Sequence, residues 1–274
     1  ADIVLTNKVE LGEAEFAAAP NIKLVVVFAT GYNQIDIKAA SKRNILVCNV
    51  KDYSTPSVAQ HIFALMLDLA GAITLHANAV AEGEWSRATS FCFWKKPTYE
   101  LAGKTLGIIG FGSIGSAVAK IGNAFGLRII AYSPSPKPKP DYAPFEFASI
   151  DKLLACSDFV SLNCPLNEQT NCMVDMQFLS KMKASAFLIN GSRGGLVNEK
   201  DLRKALEDGI IAGAGVDVVV DEPMPNCNPL FGAPNCIITP HMAWATYEAR
   251  TRLMQGVLDN VKNFIAGKPS NVVN

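Results

Sequence analysis

The sequence predicts an α/β protein with parallel sheets and two lobes. Short apolar runs alternate with helical patterns, which is typical of parallel βα units. Its 274 residues suit one large domain or two ordinary ones. Hydrophobic residues make up 49% of the chain and charged residues 18%, so a large core is possible and general disorder is excluded. Lysine and arginine number 25 and match 25 acidic residues, so we expect no nucleic-acid or membrane partner.

The small lobe comes first along the chain. A strand-like segment at residues 2–5 opens it, and apolar runs at 24–28 and 45–48 predict two buried strands. Because the chain starts at Ala1 and directly with a strand, we expect an N-terminal piece to be missing. A helix is predicted from Thr55, which would be its N-cap, and it is apolar nearly all round, so we expect burial on several sides.

The larger lobe follows an aromatic-rich loop at residues 85–102. Six short apolar runs predict its strands: 105–109, 128–132, 158–162, 186–190, 212–217 and 235–238. Residues 133–140 hold four prolines and predict a loop. The last helix is predicted over 246–266, and on pattern alone it could belong to either lobe.

A glycine-rich turn predicts a dinucleotide site. Residues 110–115, Gly-Phe-Gly-Ser-Ile-Gly, fit G-x-G-x-x-G between a predicted strand and a predicted helix, and a second strand follows. Glycines let the backbone turn tightly and approach a pyrophosphate, and the helix N-terminus offers it unpaired N–H groups. The candidate binding residues are Gly110, Gly112, Ser113, Ile114 and Gly115.

The position that selects between NAD and NADP holds Ser133. An Asp or Glu about 20 residues beyond the first glycine would accept from the ribose 2′-hydroxyl. In this sequence residue 133 is not a carboxylate that would repel a 2′-phosphate, and Ser135, Lys137 and Lys139 could bind one. We therefore expect NADP or dual use of NADP and NAD. The alternative is that these lysines are only solvated loop charges.

The cysteines and apolar runs indicate a cytoplasmic protein without a metal. Seven cysteines, an odd number with no two separated by two residues, argue against a disulfide scaffold and paired zinc sites. We expect reduced thiols in the cytosol. No signal peptide opens the chain, and the most apolar run, residues 62–75, is shorter than a membrane span.

Three reactive side chains fall just beyond three consecutive predicted strands. Arg193, Glu222 and His241 follow the strands ending near residues 190, 217 and 238. Open α/β sheets place their sites at these carboxyl ends. With a dinucleotide fold, such a set suits hydride transfer to a carbonyl acid. For the two other histidines we expect ordinary roles: His61 as a packed, hydrogen-bonded core residue within the helix, and His76 as a surface residue near the end of that helix.

These motifs together resemble the D-2-hydroxyacid dehydrogenase family. The glycine motif, residues 190–195 (Asn-Gly-Ser-Arg-Gly-Gly), 221–223 (Asp-Glu-Pro) and 239–241 (Thr-Pro-His) carry the likeness, which covers nearly the whole chain. Four further segments resemble its glycerate dehydrogenase/hydroxypyruvate reductase branch: residues 29–33, 91–94, 100–105 and 241–246.

The resemblance implies roles for the site residues. His241 would be the acid/base, Glu222 would fix its tautomer, and Arg193 would hold the substrate carboxylate and carbonyl. Backbone N–H groups at Thr30 and Gly31 would also hold the carboxylate. Trp244 would close the pocket; an ordinary interface aromatic is the alternative. Besides the glycine motif and Ser133, the implied coenzyme contacts are Cys164, Pro165, Thr170, Asn190, Gly191, Ser192, Asp217 and His241.

The resemblance also implies an architecture and an activity. We assign residues 55–244 to a doubly wound Rossmann domain with a dimerisation helix and loop. We assign 1–54 and 245–274 to a smaller flavodoxin-like substrate-binding domain. The leading hypothesis is a homodimeric reductase of hydroxypyruvate or glyoxylate, giving D-glycerate or glycolate. The alternatives are a reductase of pyruvate, giving D-lactate, or of another 2-keto acid, and a non-catalytic nucleotide-sensing protein of the same fold.

Overall fold

A computed structural model describes residues 1–274 and divides the chain into two compact units. The first unit comprises residues 1–55 and 244–274, and the second comprises 56–243. The strands are β1 (Ile3–Thr6), β2 (Leu24–Val27), β3 (Leu46–Cys48), β4 (Thr105–Ile109), β5 (Arg128–Tyr132), β6 (Phe145–Phe147), β7 (Phe159–Leu162), β8 (Phe187–Asn190), β9 (Gly213–Val216) and β10 (Cys236–Ile238). The α-helices are α1 (Glu13–Ala18), α2 (Ile37–Lys42), α3 (Thr55–Gly71), α4 (Ile73–Ala81), α5 (Ser113–Ala124), α6 (Ile150–Cys156), α7 (Met176–Ser180), α8 (Glu199–Glu207) and α9 (Tyr247–Ile265).

The first unit is a three-stranded parallel sheet in the order β1-β2-β3, covered on both faces. Successive residues of β2 point to opposite faces. Val25 therefore joins a cluster with α1 and α2, whereas Val26 joins one with α9. Such double coverage explains why β2 reads as a continuous apolar run.

Helix α9 belongs to the first unit, together with the C-terminal segment. Thr246 is its N-cap and accepts from the N–H of Ala249. The fully buried Asn260 donates to the carbonyl of Asn49 at 2.8 Å and accepts from the side chain of Asn271 at 2.9 Å. These bonds fasten the residues after α9 to the end of β3.

The second unit is a seven-stranded parallel sheet in the order β10-β9-β8-β7-β4-β5-β6. The chain leaves β4 toward β5 and β6 on one side and later runs from β7 to β10 on the other. This reversal between β4 and β7 makes the sheet doubly wound and confirms the predicted fold class. Helix α6 packs so closely on β4 that a side-chain carbon at Gly107 would collide with Leu153 and Ser157.

The structure refines several predicted boundaries. The predicted strands are all present, with ends that differ by a residue or so. The short edge strand β6 was not predicted. Thr55 is the first residue of α3 rather than its N-cap.

Helix α3 also ends earlier than the run of apolar residues. A left-handed residue, Ala72, separates α3 from α4, and the two helices are bent by 64°. The Asp68 carboxylate caps the new helix by accepting from the N–H and hydroxyl of Thr74. His76 therefore lies in α4, half-buried, where its Nε2 accepts from the N–H of Lys95.

No single helix is long and apolar enough to cross a membrane. The bent pair α3 and α4 meets the criteria of length and composition only when the two helices are taken together.

Candidate active site

The carboxyl ends of the seven parallel strands lie at one edge of the second unit. Segments that follow adjacent strands are therefore neighbours. In sheet order from β10 to β5, these segments carry His241, then Asp217 and Glu222, then residues 190–193, then Cys164, then the glycine turn, and then Ser133. The structure thus brings the predicted catalytic residues and the predicted coenzyme residues of this unit to the same edge.

The glycine turn has the geometry that the motif requires. Gly110 has a φ of +94°, and a side-chain carbon there would lie 2.6 Å from the backbone of Asn163. A side-chain carbon at Gly115 would collide with the carbonyl of Gly110, so the helix can pack close to the turn only with glycine. A side-chain carbon at Gly112 would meet nothing within 4 Å, because this residue faces open space at the N-terminus of α5.

A basic cavity of about 610 Å³ adjoins this helix end. Lys120, Lys137 and Lys139 line it, together with Ser113 and Ser116, and no carboxylate does. None of the three ammonium groups forms an ion pair within the chain. Of the residues predicted to bind a 2′-phosphate, Lys137 and Lys139 line the cavity, whereas Ser133 and Ser135 do not.

The loops after β7 and β8 are closed by their own hydrogen bonds. Thr170 donates its hydroxyl to the carbonyl of Pro165 at 2.7 Å. Burial raises the pKa of the neighbouring Cys164 thiol, so this cysteine stays protonated near neutral pH. The Ser192 hydroxyl reaches across to the Leu162 carbonyl at 2.8 Å, and Asn190 accepts from the N–H of Ser192 at 3.1 Å.

His241 and Glu222 form a short hydrogen bond. The Nδ1 atom of His241 lies 2.6 Å from Oε2 of Glu222. The side chains are 27% and 31% exposed, so both are accessible from solvent yet shielded enough for their charges to interact. Because the carboxylate can only accept, Nδ1 carries a hydrogen, and Nε2 is the ring nitrogen that can exchange a proton with another molecule.

Arg193 presents a guanidinium without an ion-pair partner at the same edge of the sheet. It is exposed and forms no ion pair; its one side-chain bond is from Nη1 to the Ser192 carbonyl at 2.7 Å. The following residue, Gly194, presses on the β9 loop so closely that a side-chain carbon would collide with the backbone of Val219. Val219 in turn donates to Glu222, so the loops of Arg193 and Glu222 are in contact.

Asp217 holds the backbone of the segment that carries His241. Its carbonyl accepts from the N–H of His241 at 2.7 Å. Its carboxylate accepts from the next two N–H groups, those of Met242 at 2.9 Å and Ala243 at 2.8 Å. His241 has a φ of +51°, a left-handed conformation that costs a non-glycine residue about 1–3 kcal/mol. These three bonds offset that strain.

The Asp217 carboxylate is ionised despite its burial. The side chain is 1% exposed, and burial raises its pKa. Hydrogen bonds from His61, Thr239 and the two N–H groups outweigh this effect, so the net pKa lies below the ordinary value. Oδ2 accepts one hydrogen bond within the chain and retains capacity for another. The coenzyme contact that the resemblance implies for Asp217 stays a prediction.

Thr30, Gly31 and Trp244 belong to the first unit. The Thr30 hydroxyl donates to the carbonyl of Val50 at 2.9 Å, and the Asn49 amide donates to the carbonyl of Thr30 at 2.7 Å. Trp244 packs edge-on against Tyr53, with ring centroids 6.5 Å apart. These contacts fix Thr30 and Trp244 locally, and the roles predicted for all three residues toward a substrate stay predictions.

Two features of this edge were not predicted: the position of Lys120 and the partner of His61. Lys120 lies four and seven residues after Ser116 and Ser113, on the same face of α5, so helical spacing could have found it. His61 is a packed, hydrogen-bonded histidine, as the sequence predicts. Its partner is the hydroxyl of Thr239, which no local pattern in the sequence indicates.

The chain is similar to proteins of one family over its whole length. The profile described as D-isomer specific 2-hydroxyacid dehydrogenase, NAD binding domain, matches residues 63–243. A hydroxypyruvate reductase of Blautia hydrogenotrophica is 43% identical over 274 residues, which are all of this chain and 85% of the relative. A glycerate dehydrogenase of Methylorubrum extorquens is 42% identical over 275 residues, with the same coverage.

A solved structure shares the fold. The D-lactate dehydrogenase from Aquifex aeolicus, complexed with NAD and lactic acid, superposes with a TM-score of 0.86 at 31% identity. The match covers 98% of this chain and 84% of that one.

Replacing Asp217 tests the clamp on the His241 segment. Asp217→Asn should lower the free energy of unfolding by about 1–3 kcal/mol at pH 7, because a neutral amide leaves at least one buried donor poorly paired. Because the folded-state pKa lies below the unfolded value of about 3.9, this contribution is complete above that pH and is lost as the pH falls. Urea unfolding at pH 7, 5 and 3 measures the difference.

The exposed Asp141→Asn serves as the matched control, with little change at any pH. A stability difference for Asp217→Asn that persists unchanged at pH 3 would contradict a role for the carboxylate charge.

Proposed function

Because this chain belongs to the D-isomer specific 2-hydroxyacid dehydrogenase family, we propose that it reduces hydroxypyruvate to D-glycerate and glyoxylate to glycolate with a nicotinamide coenzyme. The 2.6 Å hydrogen bond between His241 and Glu222 carries the proposal. It leaves Nε2 of an oriented imidazole as a proton donor, at the same sheet edge as a guanidinium that forms no ion pair within the chain.

The residues present fit a dinucleotide. Gly112 leaves open space at the N-terminus of α5, where N–H groups would hold the pyrophosphate. The positive charges of the adjoining lysines are complementary to the negative charges of the coenzyme phosphates. When bound, the nicotinamide supplies the hydride to the carbonyl carbon or takes it back.

His241 handles the proton. In reduction, Nε2 gives its proton to the carbonyl oxygen, and in oxidation it removes the proton from the hydroxyl. The Glu222 carboxylate accepts from Nδ1 and stabilises the imidazolium that exists before reduction and after oxidation. The pair thus keeps one tautomer in place in both directions.

Arg193 orients the acid. A guanidinium has five N–H donors in a fixed fork that matches a carboxylate, and only one of its nitrogens is bonded within the chain. Its charge also favours the electron density that develops on a carbonyl oxygen during reduction.

The relatives support short 2-keto acids as substrates. Those at 43% and 42% identity bear the names hydroxypyruvate reductase and glycerate dehydrogenase, and a glyoxylate reductase of Korarchaeum cryptofilum is 40% identical.

For the coenzyme, NADP or dual use of NADP and NAD is our proposal. Ser133 stands where a carboxylate would repel a 2′-phosphate, and three unpaired lysines line the nearby cavity. Lys120 adds a third cation to the two that the sequence suggested.

We further propose that a second copy of the chain covers the apolar residues that follow α3. Phe91 is 88% exposed and Trp94 is 73% exposed, and α4 presents Ile73 on its surface as well. Exposed apolar patches of this kind mark protein interfaces. A homodimer through this segment would bury them.

A cytoplasmic location is also proposed. All seven cysteines are free thiols in the structure, which suits a reducing compartment.

Initial rates decide the substrate class. With hydroxypyruvate, glyoxylate and pyruvate, we expect hydroxypyruvate or glyoxylate to be reduced with the highest kcat/KM. His241→Ala should lower kcat by about 10²–10⁴-fold, because the general acid is lost, while coenzyme Kd stays within about twofold. His76→Ala is the control. A preference for pyruvate would support the D-lactate alternative, and no turnover despite coenzyme binding would support the sensor.

Coenzyme preference tests the basic cavity. Lys120→Ala should lower kcat/KM for NADPH by about tenfold and leave that for NADH nearly unchanged, because one charged contact to a 2′-phosphate is lost. Ser133→Asp should shift preference toward NADH. Lys200→Ala, in the exposed part of α8, is the matched control. Equal effects on both coenzymes would contradict this use of the cavity.

Sedimentation equilibrium tests the dimer. We expect the wild-type chain to be a dimer, and Phe91→Ser combined with Trp94→Ser to shift it toward monomer. Tyr247→Ser, an exposed aromatic in the first unit, should change nothing. A wild-type monomer would refute the proposal.

A further inference from the structure

His61 is a histidine in α3, a helix whose residues are mostly apolar and buried. Its neighbour Ile62 is fully buried, and the imidazole itself is 17% exposed. The ring nitrogen Nε2 lies 2.9 Å from Oγ1 of Thr239 and 3.4 Å from Oδ1 of Asp217. A ring that served only to fill space would not need two polar neighbours, Thr239 after β10 and Asp217 after β9.

The hydrogens in this cluster can be assigned from its donors and acceptors. Thr239 has one hydroxyl hydrogen, and it donates this hydrogen to Oδ1 of Asp217 at 2.6 Å. The bond between His61 and Thr239 therefore needs a hydrogen on Nε2, with the hydroxyl oxygen as acceptor. The result is a directed chain from His61 through Thr239 to the carboxylate, in addition to the direct 3.4 Å approach of His61 Nε2 to Oδ1 of Asp217.

This chain ends on the carboxylate that holds the residues directly after His241. The Asp217 carboxylate accepts from the N–H groups of Met242 and Ala243, and the backbone carbonyl of the same residue accepts from the N–H of His241. His241 has a left-handed φ, which the surrounding structure must maintain. A donor that orients the carboxylate also orients the segment.

We propose that His61 is a positioning residue for proton transfer: through Thr239 and Asp217 it fixes the segment that carries His241. The side chain forms no hydrogen bond or ion pair with His241 or Glu222, so its effect is indirect. The kinetic part of this proposal rests on the proposed function. The structural part, that His61 holds the segment in place, does not.

Kinetics provide the first test. His61→Leu should lower kcat by about 10–100-fold, because small displacements of a catalytic group are costly, and should change substrate KM and coenzyme Kd less than threefold. His61→Gln, whose amide can donate to Thr239, should recover most of kcat. Gln60→Leu, at an exposed position of the same helix, should behave as wild type.

A double-mutant cycle separates the chain of contacts from general damage to α3. Thr239→Val removes the hydroxyl between His61 and Asp217. It should lower kcat to a similar degree, and the double variant His61→Leu/Thr239→Val should lose little more than either single variant. Fully multiplicative losses would overturn the proposed route through Thr239.

Hydrogen exchange provides a readout that needs no substrate. In the full-length protein with no coenzyme added, the amides of residues 241–243 should exchange at least about tenfold faster in His61→Leu than in wild type, His61→Gln or Gln60→Leu. If wild type reduces no tested acid but these amides respond, the proposed activity fails and the positioning role stands. If wild type is active and His61→Leu changes neither kcat nor exchange, the positioning role is overturned.

Discussion

The parallel pairing of seven strands is the constraint on which the rest of this site depends. In such a sheet, every strand ends at the same edge, so short loops can gather side chains that are far apart in the sequence. Residues 110, 193, 222 and 241 are carried to the same edge in this way. The strands are short, and most of the candidate site residues lie in the segments that follow them. The close approaches at Gly110, Gly115 and Gly194 then press the glycine turn and the neighbouring loops into a compact rim.

The rim combines a buried fixed anion with exposed reactive groups. Asp217 is almost inaccessible and accepts only internal donors in the structure, so its charge stabilises the backbone. Glu222, His241 and Arg193 are partly or fully exposed and are positioned by short contacts to that backbone or to one another. This difference in exposure has a physical reason. Groups that exchange protons or bind acids must contact the substrate. The carboxylate that holds a strained loop must be buried, because water would compete for its hydrogen bonds.

The sequence was informative wherever a local pattern determines the structure. Apolar runs predicted β4 and β5, and glycine spacing predicted the turn at residues 110–115, because steric limits act on neighbouring residues. The sequence did not predict features that depend on residues distant along the chain or on segments too short to show a pattern. The edge strand β6 has only three residues, so its alternation of Phe, Glu and Phe is too short to indicate a strand. The Asp68 cap that begins α4 and the contact from His61 to Thr239 both depend on packing that spacing does not encode.

The orientation of the His241 imidazole by Glu222 is the central claim, and ¹⁵N NMR of the histidine rings tests it most directly. The chain has only three histidines, so substitutions of His61 and His76 assign the spectrum. The account predicts that neutral His241 is the Nδ1–H tautomer, and that Glu222→Gln weakens this preference because an amide oxygen is a poorer acceptor than a carboxylate. A neutral His241 that carries its hydrogen on Nε2 in the wild-type protein would contradict the account.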